Sequence, residues 1–570
     1  MKAGGHARTA TVLAAFLVGT LLATAEAQPT ADREDELEQL VAMISCQGPG
    51  AGIVVGHDST RLYVATAAHV VRACADGTAE IKLKGQATPF RGRVVRTGDG
   101  DLAVIAIDGA QKLGAELSFD RLGDADAVKR GDAVYALGNP SGAEWSVNAT
   151  PDRVSRVQGT TIRFQSEFIR AGHSGGVLLN ESWGIIGMIQ RDNPPQGEAL
   201  SMARLLSVLR EWGVPVALRP PLPRVSAGLE RTCLVSSSGH LQCWGNIEFS
   251  EGPAVNTLKI QGPRFRSIAV GGFHICGLGT DGTAYCLGTN KYGQLGQGTK
   301  SEIIRTTVGP IQGNLVFASI TAGGWHTCGL APDGRAYCWG AGREGRLGND
   351  LGEDSATPVG VGGGLRFKAL GAGYRNTCGI AVDGAAYCWG GVGGTGRERY
   401  GSDPPNAFVP VRVPGTIRLE SISVGSGAAC GLAADGQAYC WGSNARGKLG
   451  TGSKEQESKS PEPVAGGLRF KLISVAIGEH ACGVTRTGVA YCWGENAAGQ
   501  LGDGTKNDST VPVPVTGGLR FASLSTGHLH TCGVTTDGST YCWGGGNLGI
   551  GIGPQARAGT TVPVGVTPVP

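Results

Sequence analysis

The 570 residues carry a net charge of only +3. That length exceeds one core and predicts two or three domains, and the near-neutral balance excludes the strongly basic character of a nucleic-acid partner or a polybasic membrane surface. Glycine is the outlier at 96 residues, and because it recurs at fixed offsets it marks turn chemistry and not low complexity.

The first 27 residues read as a secretory signal peptide. Lys2 and Arg8 form the basic region, 11–22 the apolar run, and Ala25-Glu26-Ala27 an A-x-A cleavage site. The run is short for a membrane span, and no later stretch is apolar enough to cross. The expectation is a mature chain from about Gln28, secreted or periplasmic; an uncleaved anchor is the alternative. In such a compartment the 16 cysteines should be oxidised. Cys46 and Cys74 stand apart. The other fourteen form seven pairs ten positions apart: Cys233 with Cys243, Cys276 with Cys286, Cys328 with Cys338, Cys378 with Cys388, Cys430 with Cys440, Cys482 with Cys492 and Cys532 with Cys542. Zinc usually needs closer pairs and four converging ligands, so disulfides are expected, with no metal and no cofactor.

Residues 28–216 read as the first domain. A short leading helix is expected within 32–44. Short apolar runs follow, separated by glycine and aspartate. Strands are predicted at 52–56, 61–65, 81–83, 92–96, 102–107, 133–137, 161–165, 176–179 and 185–189. This many short strands points to a sandwich or barrel. One helix is convincing, 203–212, with Met202, Leu205, Leu206 and Leu209 on one face and Gly213 and Pro215 stopping it.

Three motifs lie in the order His, Asp, Ser: Ala65-Thr66-Ala67-Ala68-His69-Val70, Asp99-Gly100-Asp101-Leu102-Ala103-Val104 and Gly172-His173-Ser174-Gly175-Gly176. Together they resemble the trypsin-like serine peptidases, and the short segments between them resemble the bacterial HtrA/Deg-type branch. The likeness runs over nearly all of 45–213 and implies a chymotrypsin-like double β-barrel.

The resemblance implies a triad. Ser174 is the nucleophile, His69 the base that takes its proton and returns it to the leaving amine, and Asp101 the acid that holds the histidine tautomer. The amides of Gly172 and Ser174 would form the oxyanion hole, where one lost donor typically costs roughly 3–4 kcal/mol of transition-state stabilisation. His57 and His173 are rival bases, and Asp99 a rival acid. The family's animal digestive members carry aspartate before the serine; here it is His173, so no zymogen switch of that kind is expected. Cys46 and Cys74 bracket His69 and would staple its loop. Phe168 would floor the specificity pocket by family correspondence, with Ile189, Gln190, Arg191 and Asp192 as a wall. No acid stands on that floor, which points to small or medium apolar side chains.

Residues 217–223 form a proline-rich linker, and 224–570 a repeat of about 50 residues. Each unit runs through an L-R-F strand, G-x-x-H-T-C-G, D-G, A-Y-C-W-G, G-Q-L-G and a V-P-V strand. This suggests a four-stranded antiparallel sheet with its two cysteines facing across the D-G hairpin. Cys276 and Cys286 are symmetric about Asp281, which favours a three-residue loop with Gly282 left-handed. Seven pairs predict a seven-bladed β-propeller whose two ends meet. The repeat resembles the regulator of chromosome condensation family, most clearly over 480–505. The paired cysteines depart from the nuclear member and suit a secreted version, and fold alone does not transfer nucleotide exchange.

His274, His326, His480 and His530 recur two positions before a cysteine. Arg231, Asn376 and Ala428 fill that place elsewhere, so a hydrogen-bonded turn is favoured over a metal ring. The C-W-G tryptophans read as blade packing, and variable loops such as 390–407 as the better binding surface. The whole is expected to be all-β with two domains. It reads as a secreted serine endopeptidase acting on protein or peptide substrates, with a protein partner on the propeller. The alternatives are a protein-binding propeller carrying an inactive peptidase-like domain, and a carbohydrate or envelope binder using exposed tryptophans.

Overall fold

The computed structural model describes residues 37–46, 48–98, 101–110, 113, 122–123, 128–138, 146–147, 151–166, 169, 172–181, 184–216, 218, 222–245, 257–391, 407–545 and 559–566. The expected signal segment 1–27, most of the expected 217–223 linker, Phe168, Asp99 and residues 392–406 lie outside them.

The architecture is nearly all-β. The first barrel is closed by six antiparallel strands in the order β1-β2-β3-β6-β5-β4: β1 Val41–Ser45, β2 Pro49–His57, β3 Arg61–Ala67, β4 Thr78–Lys82, β5 Phe90–Gly98 and β6 Leu102–Asp108. The leading helix expected over 32–44 is corrected in its second half. Val41–Ile44 are all buried, and β1 pairs with both β2 and β4. A run buried on both faces carries no period, so helix and strand look alike in sequence.

The second barrel uses β7 Ala133–Gly138, β9 Asp152–Gln158, β10 Thr161–Gln165, β11 Val177–Asn180, β12 Ile185–Asn193 and β13 Gln196–Ser201, closed by β11 against β7, with the two-residue β8 Ser146–Val147 at its edge. Two helices matter to the site. α1, Ala68–Val71, continues directly from β3. α2, Met202–Glu211, is capped by Ser201 and buries Met202, Leu205, Leu206 and Leu209 in a core shared by the two barrels.

Seven four-stranded sheets follow, each from one contiguous stretch: 224–260, 265–310, 319–360, 367–412, 421–463, 470–514 and 521–566. The last stretch of V-P-V sequence, Thr560–Val566, is the outer strand of the seventh sheet. Within each sheet the cysteines of the second and third strands stand directly opposite each other in the ladder. All seven expected pairs are bonded: Cys233 with Cys243, Cys276 with Cys286, Cys328 with Cys338, Cys378 with Cys388, Cys430 with Cys440, Cys482 with Cys492 and Cys532 with Cys542, at Cα separations of 4.0–4.2 Å. The 279–283 hairpin has Gly282 at φ +82°, and Gly279 and Gly282 close it through amide bonds of 2.9 and 3.0 Å. This is a type I turn with a bulged left-handed glycine. Blade one meets blade seven without sharing a strand. Ala227 N–H donates to Ser525 Oγ at 2.9 Å, and His528 N–H to the Gly228 carbonyl at 3.0 Å.

Candidate active site

β3 delivers its last residues into α1, and that turn is anchored before His69 is reached. Thr66 Oγ1 donates to the Ala51 carbonyl at 2.6 Å, and Ala68 N–H to the Asp101 carbonyl at 2.9 Å. His69 is then held at two points by one carboxylate: its N–H donates to Asp101 Oδ1 at 2.9 Å, and Nδ1 stands 2.5 Å from Oδ2. A carboxylate can only accept, so Nδ1 carries the proton and Nε2 keeps its lone pair. Asp101 takes a left-handed backbone, φ +59°, a conformation that aspartate tolerates better than most residues. The Arg72 guanidinium stands 3.8 Å from the same carboxylate. Cys46 and Cys74 are bonded across the segment that contains His69.

Ser174 arrives from the second barrel on a turn that only glycine permits. A Cβ at Gly175 would fall 1.9 Å from the Ala51 carbonyl oxygen and 2.4 Å from Thr66 Oγ1, and one at Gly176 2.3 Å from the Leu137 carbonyl oxygen. Ala51 N–H donates to the Ser174 carbonyl at 2.9 Å. The serine turn is thus docked on the residues that anchor the histidine turn. Gly172 has φ +108°. Ser174 Oγ donates to the Gln190 carbonyl at 3.4 Å. His69 and Asp101 are brought together; between His69 and Ser174, among the described residues, there is no direct hydrogen bond. Such bonds are often long before substrate binds.

Gln190 owes its position to a bulge: β12 pairs Ile189 with Ala199 and then Arg191 with Glu198, leaving Gln190 outside the ladder. Bulges commonly re-aim the chain beside a site. Ile189 points into the second barrel's core, so at the expected pocket wall it offers backbone only. Arg191 is exposed and 3.5 Å from Glu198. Asp192 pairs with Gly197 through the ladder. Of the rival bases, His57 ends β2 with Nδ1 3.4 Å from the Asp58 carbonyl, and His173 is buried against Gly138.

In the propeller the recurrent histidines are fully buried. Nε2 of His274, His326, His480 and His530 reaches the threonine hydroxyl of the next blade, Thr327, Thr377, Thr531 and Thr232, at 2.7–3.0 Å. Three of these threonines donate their proton to a backbone carbonyl, at Gln294, Arg346 and Gln500. There the imidazole must be the donor, and its bare Nδ1 is buried. Burial drives the imidazoles of His274, His326 and His480 down to about 3 and that of His530 to about 4. The signal was readable in the repeats. Histidine occurs where the following blade has threonine before its cysteine, and Arg231, Asn376 and Ala428 precede blades with Ile275, Ala429 and Ala481. The tryptophans also join blades: Nε1 of Trp389, Trp493 and Trp543 donates to the carbonyl of Arg346, Lys448 and Gln500, residues of the preceding blade, at 2.9–3.0 Å.

One feature was missed in the sequence. At the end of the blades opposite the D-G hairpins, Phe273 stacks on Trp325 at 4.0 Å and Tyr292 meets Trp325 edge-on at 5.3 Å. Tyr374 covers Gly324 beside them. All four rings are half-buried. Phe273 and Trp325 stand at one repeat position, which Glu479 and Leu529 fill in other blades, so no motif marks the rings.

A model of the RCC1-like domain matches residues 250–569, more than half of the chain. The chain belongs to the RCC1-like domain family. A second model, of the trypsin-like peptidase domain, matches residues 50–188 ahead of the RCC1-like propeller. The human E3 ubiquitin-protein ligase HERC2 is 32% identical over 258 residues, which is 44% of this chain and 5% of that protein. The chain therefore spans only a small part of that relative. Yeast RCC1 (Prp20), solved bound to Kap60, is 21% identical, with 54% of this chain and 75% of that one covered at a TM-score of 0.48. The Rv3671c protease of M. tuberculosis in its inactive form is 20% identical, with 32% of this chain and 93% of that one covered at a TM-score of 0.26. The eight disulfides fit an extracellular protein, and no helix among the described residues is long and apolar enough to cross a membrane.

Proposed function

We propose that the chain is an exported serine endopeptidase whose RCC1-like propeller recruits a protein substrate or partner. The proposed division is a signal segment 1–27, a peptidase domain 28–216, a linker 217–223 and a propeller 224–570. The observation that carries the reading is the two-point grip of Asp101 on His69, which leaves Nε2 basic beside the turn bearing Ser174.

Ser174 Oγ turns from the Gln190 carbonyl towards His69 and attacks the scissile carbonyl carbon. Its proton passes to His69 Nε2, and Asp101 stabilises the imidazolium formed. The N–H groups of Gly172 and Ser174 hold the oxyanion. Collapse breaks the C–N bond, and His69 protonates the departing amine. Water, deprotonated by the same imidazole, then attacks the acyl carbon; the bond to Ser174 Oγ breaks, and His69 returns the proton to that oxygen. The pocket of Phe168 and the strand 189–192, with no acid at its floor, is assigned to small or medium apolar side chains. The aromatic strip Phe273–Trp325–Tyr374 is the end of the propeller proposed to meet the partner.

The oxidised protein is mixed with fluorescently labelled unfolded casein. Cleavage by the wild type and a loss of about 10⁵-fold or more in Ser174→Ala is expected. The Ser174 bond to Gln190 favours the second reading, a binding propeller with an idle peptidase-like domain. Equal casein turnover in the two proteins, or none in either, sinks the first reading.

A further inference from the structure

Asp101 ends the turn between β5 and β6, and its geometry depends on how the base of that hairpin is held. Gly98 closes the base, paired with Leu102, the residue after Asp101. Gly98 has no side chain because another residue's side chain takes that space. A Cβ there would lie 2.5 Å from Trp212 Cζ2 and 3.2 Å from Cη2. The Arg96 guanidinium stands 5.6 Å from the centre of the same indole, within cation–π reach.

Trp212 is itself fixed. It is the C-terminal cap of α2, with its N–H donating to the Val208 carbonyl at 2.9 Å. Leu205 and Leu209 of that helix are fully buried in the core shared by the two barrels. The chain beyond is tied down as well: Val214 N–H donates to the Leu209 carbonyl at 2.9 Å, and Leu218 N–H to the Val55 carbonyl of β2 at 3.3 Å. The left-handed backbone at Asp101 is disfavoured for a non-glycine residue and persists only where its surroundings impose it. Two supports impose it here: the amides of Ala68 and His69 on one side and the indole-covered base of the hairpin on the other.

We propose that Trp212 is a positioning residue for the His69–Asp101 pair. It acts through Gly98 and the hairpin base, and it touches neither the substrate nor the triad. Trp212 closes the last helix of the proposed peptidase domain, so the acid of the pair is set from the end of that helix. The inference rests on the peptidase reading for its effect on turnover, and on geometry alone for its effect on the His69 hydrogen bond.

The test uses the full, oxidised chain with Trp212→Ala and Trp212→Phe. Two readouts are taken: casein turnover, split into kcat and KM, and the low-field proton NMR signal of the His69 Nδ1–H, assigned by its absence in His69→Gln. Trp212→Ala should lower kcat between about 10- and 100-fold with KM nearly unchanged, as misplacement of a catalytic group does. It should also broaden or shift the His69 signal, and Trp212→Phe should restore most of both. An unchanged His69 signal in folded Trp212→Ala overturns the proposal, as does an equal loss in the two variants. If the wild type turns over no casein, the peptidase reading fails, and the NMR signal alone decides the role of Trp212.

Discussion

Asp101 grips His69 through both its backbone and its ring, so the acid sets tautomer and direction together. Replacing Asp101 by Asn keeps the shape but offers an amide N–H where an acceptor is required. The imidazole would then carry its proton on the wrong nitrogen. Turnover should fall about 10⁴-fold while the thermal midpoint hardly moves, which kinetics and calorimetry on the same sample would show. The pairing of His69 with Asp101 was legible, because each stands in a short motif of its own. The hydroxyl of Thr66, the bulge at Gln190 and the indole on Gly98 were not. Each depends on a neighbour far along the chain, and nothing local marks it.

The buried propeller histidines make a second prediction at this scale. Unfolded, an imidazole titrates near 6.5; folded, His326 is held at about 3. Between those values the unfolded chain binds a proton that the folded chain refuses, so acid favours unfolding. The contribution is fully present above about pH 6.5 and is lost as pH falls towards 3, by up to about 1.4 kcal/mol per pH unit for each such histidine. Urea unfolding of the propeller, followed by tryptophan fluorescence from pH 7 to pH 4, should show this slope. His326→Asn, which copies Asn376, should make it shallower by about one histidine's share.

At the scale of elements, Gly175 of the serine turn is set by contact between the two barrels. The Cβ of Gly175→Ala would enter the Ala51 carbonyl from a backbone at φ +86°. The turn would have to move off β2 and β3. Fluorophosphonate labelling should be lost while near-ultraviolet dichroism of the propeller tryptophans is kept. The blades respond differently to damage. Each disulfide closes a short hairpin, so Cys276→Ser with Cys286→Ser should cost roughly 2–3 kcal/mol of propeller stability, read as a lower urea midpoint. Most strands could be found from apolar alternation, and the D-G hairpins from turn chemistry. β9 and β13 were overlooked. β9 alternates apolar residues with Arg153 and Arg156, and β13 opens on Gln196-Gly197-Glu198, so each looks like loop until pairing within the barrel is known.

For the whole molecule, the ring is the point at issue. Six seams between blades are also joined by the chain, whereas the seam between blades seven and one is held by side-by-side contacts alone. Thr232 with His530 is one of them, at 2.8 Å. Thr232→Val and Thr327→Val remove equivalent hydroxyls, each worth about 1 kcal/mol or more when its partner is left buried. Hydrogen exchange should rise over blades one and seven in the first variant, and by less over blades two and three in the second. Equal effects would mean that chain continuity contributes little to closure. The blade number was legible from seven evenly spaced cysteine pairs. The last V-P-V stretch was legible too, as the fourth strand of its unit, and it is the outer strand of blade seven.

The central claim is that Ser174 is a working nucleophile in the folded, oxidised chain. The most direct measurement is to treat the wild type and Ser174→Ala with a fluorophosphonate probe and to locate the adduct by peptide mass spectrometry. The account predicts a single adduct on Ser174 in the wild type and none in the variant. A folded wild type that takes up no probe, or an adduct that persists when Ser174 is gone, would contradict it.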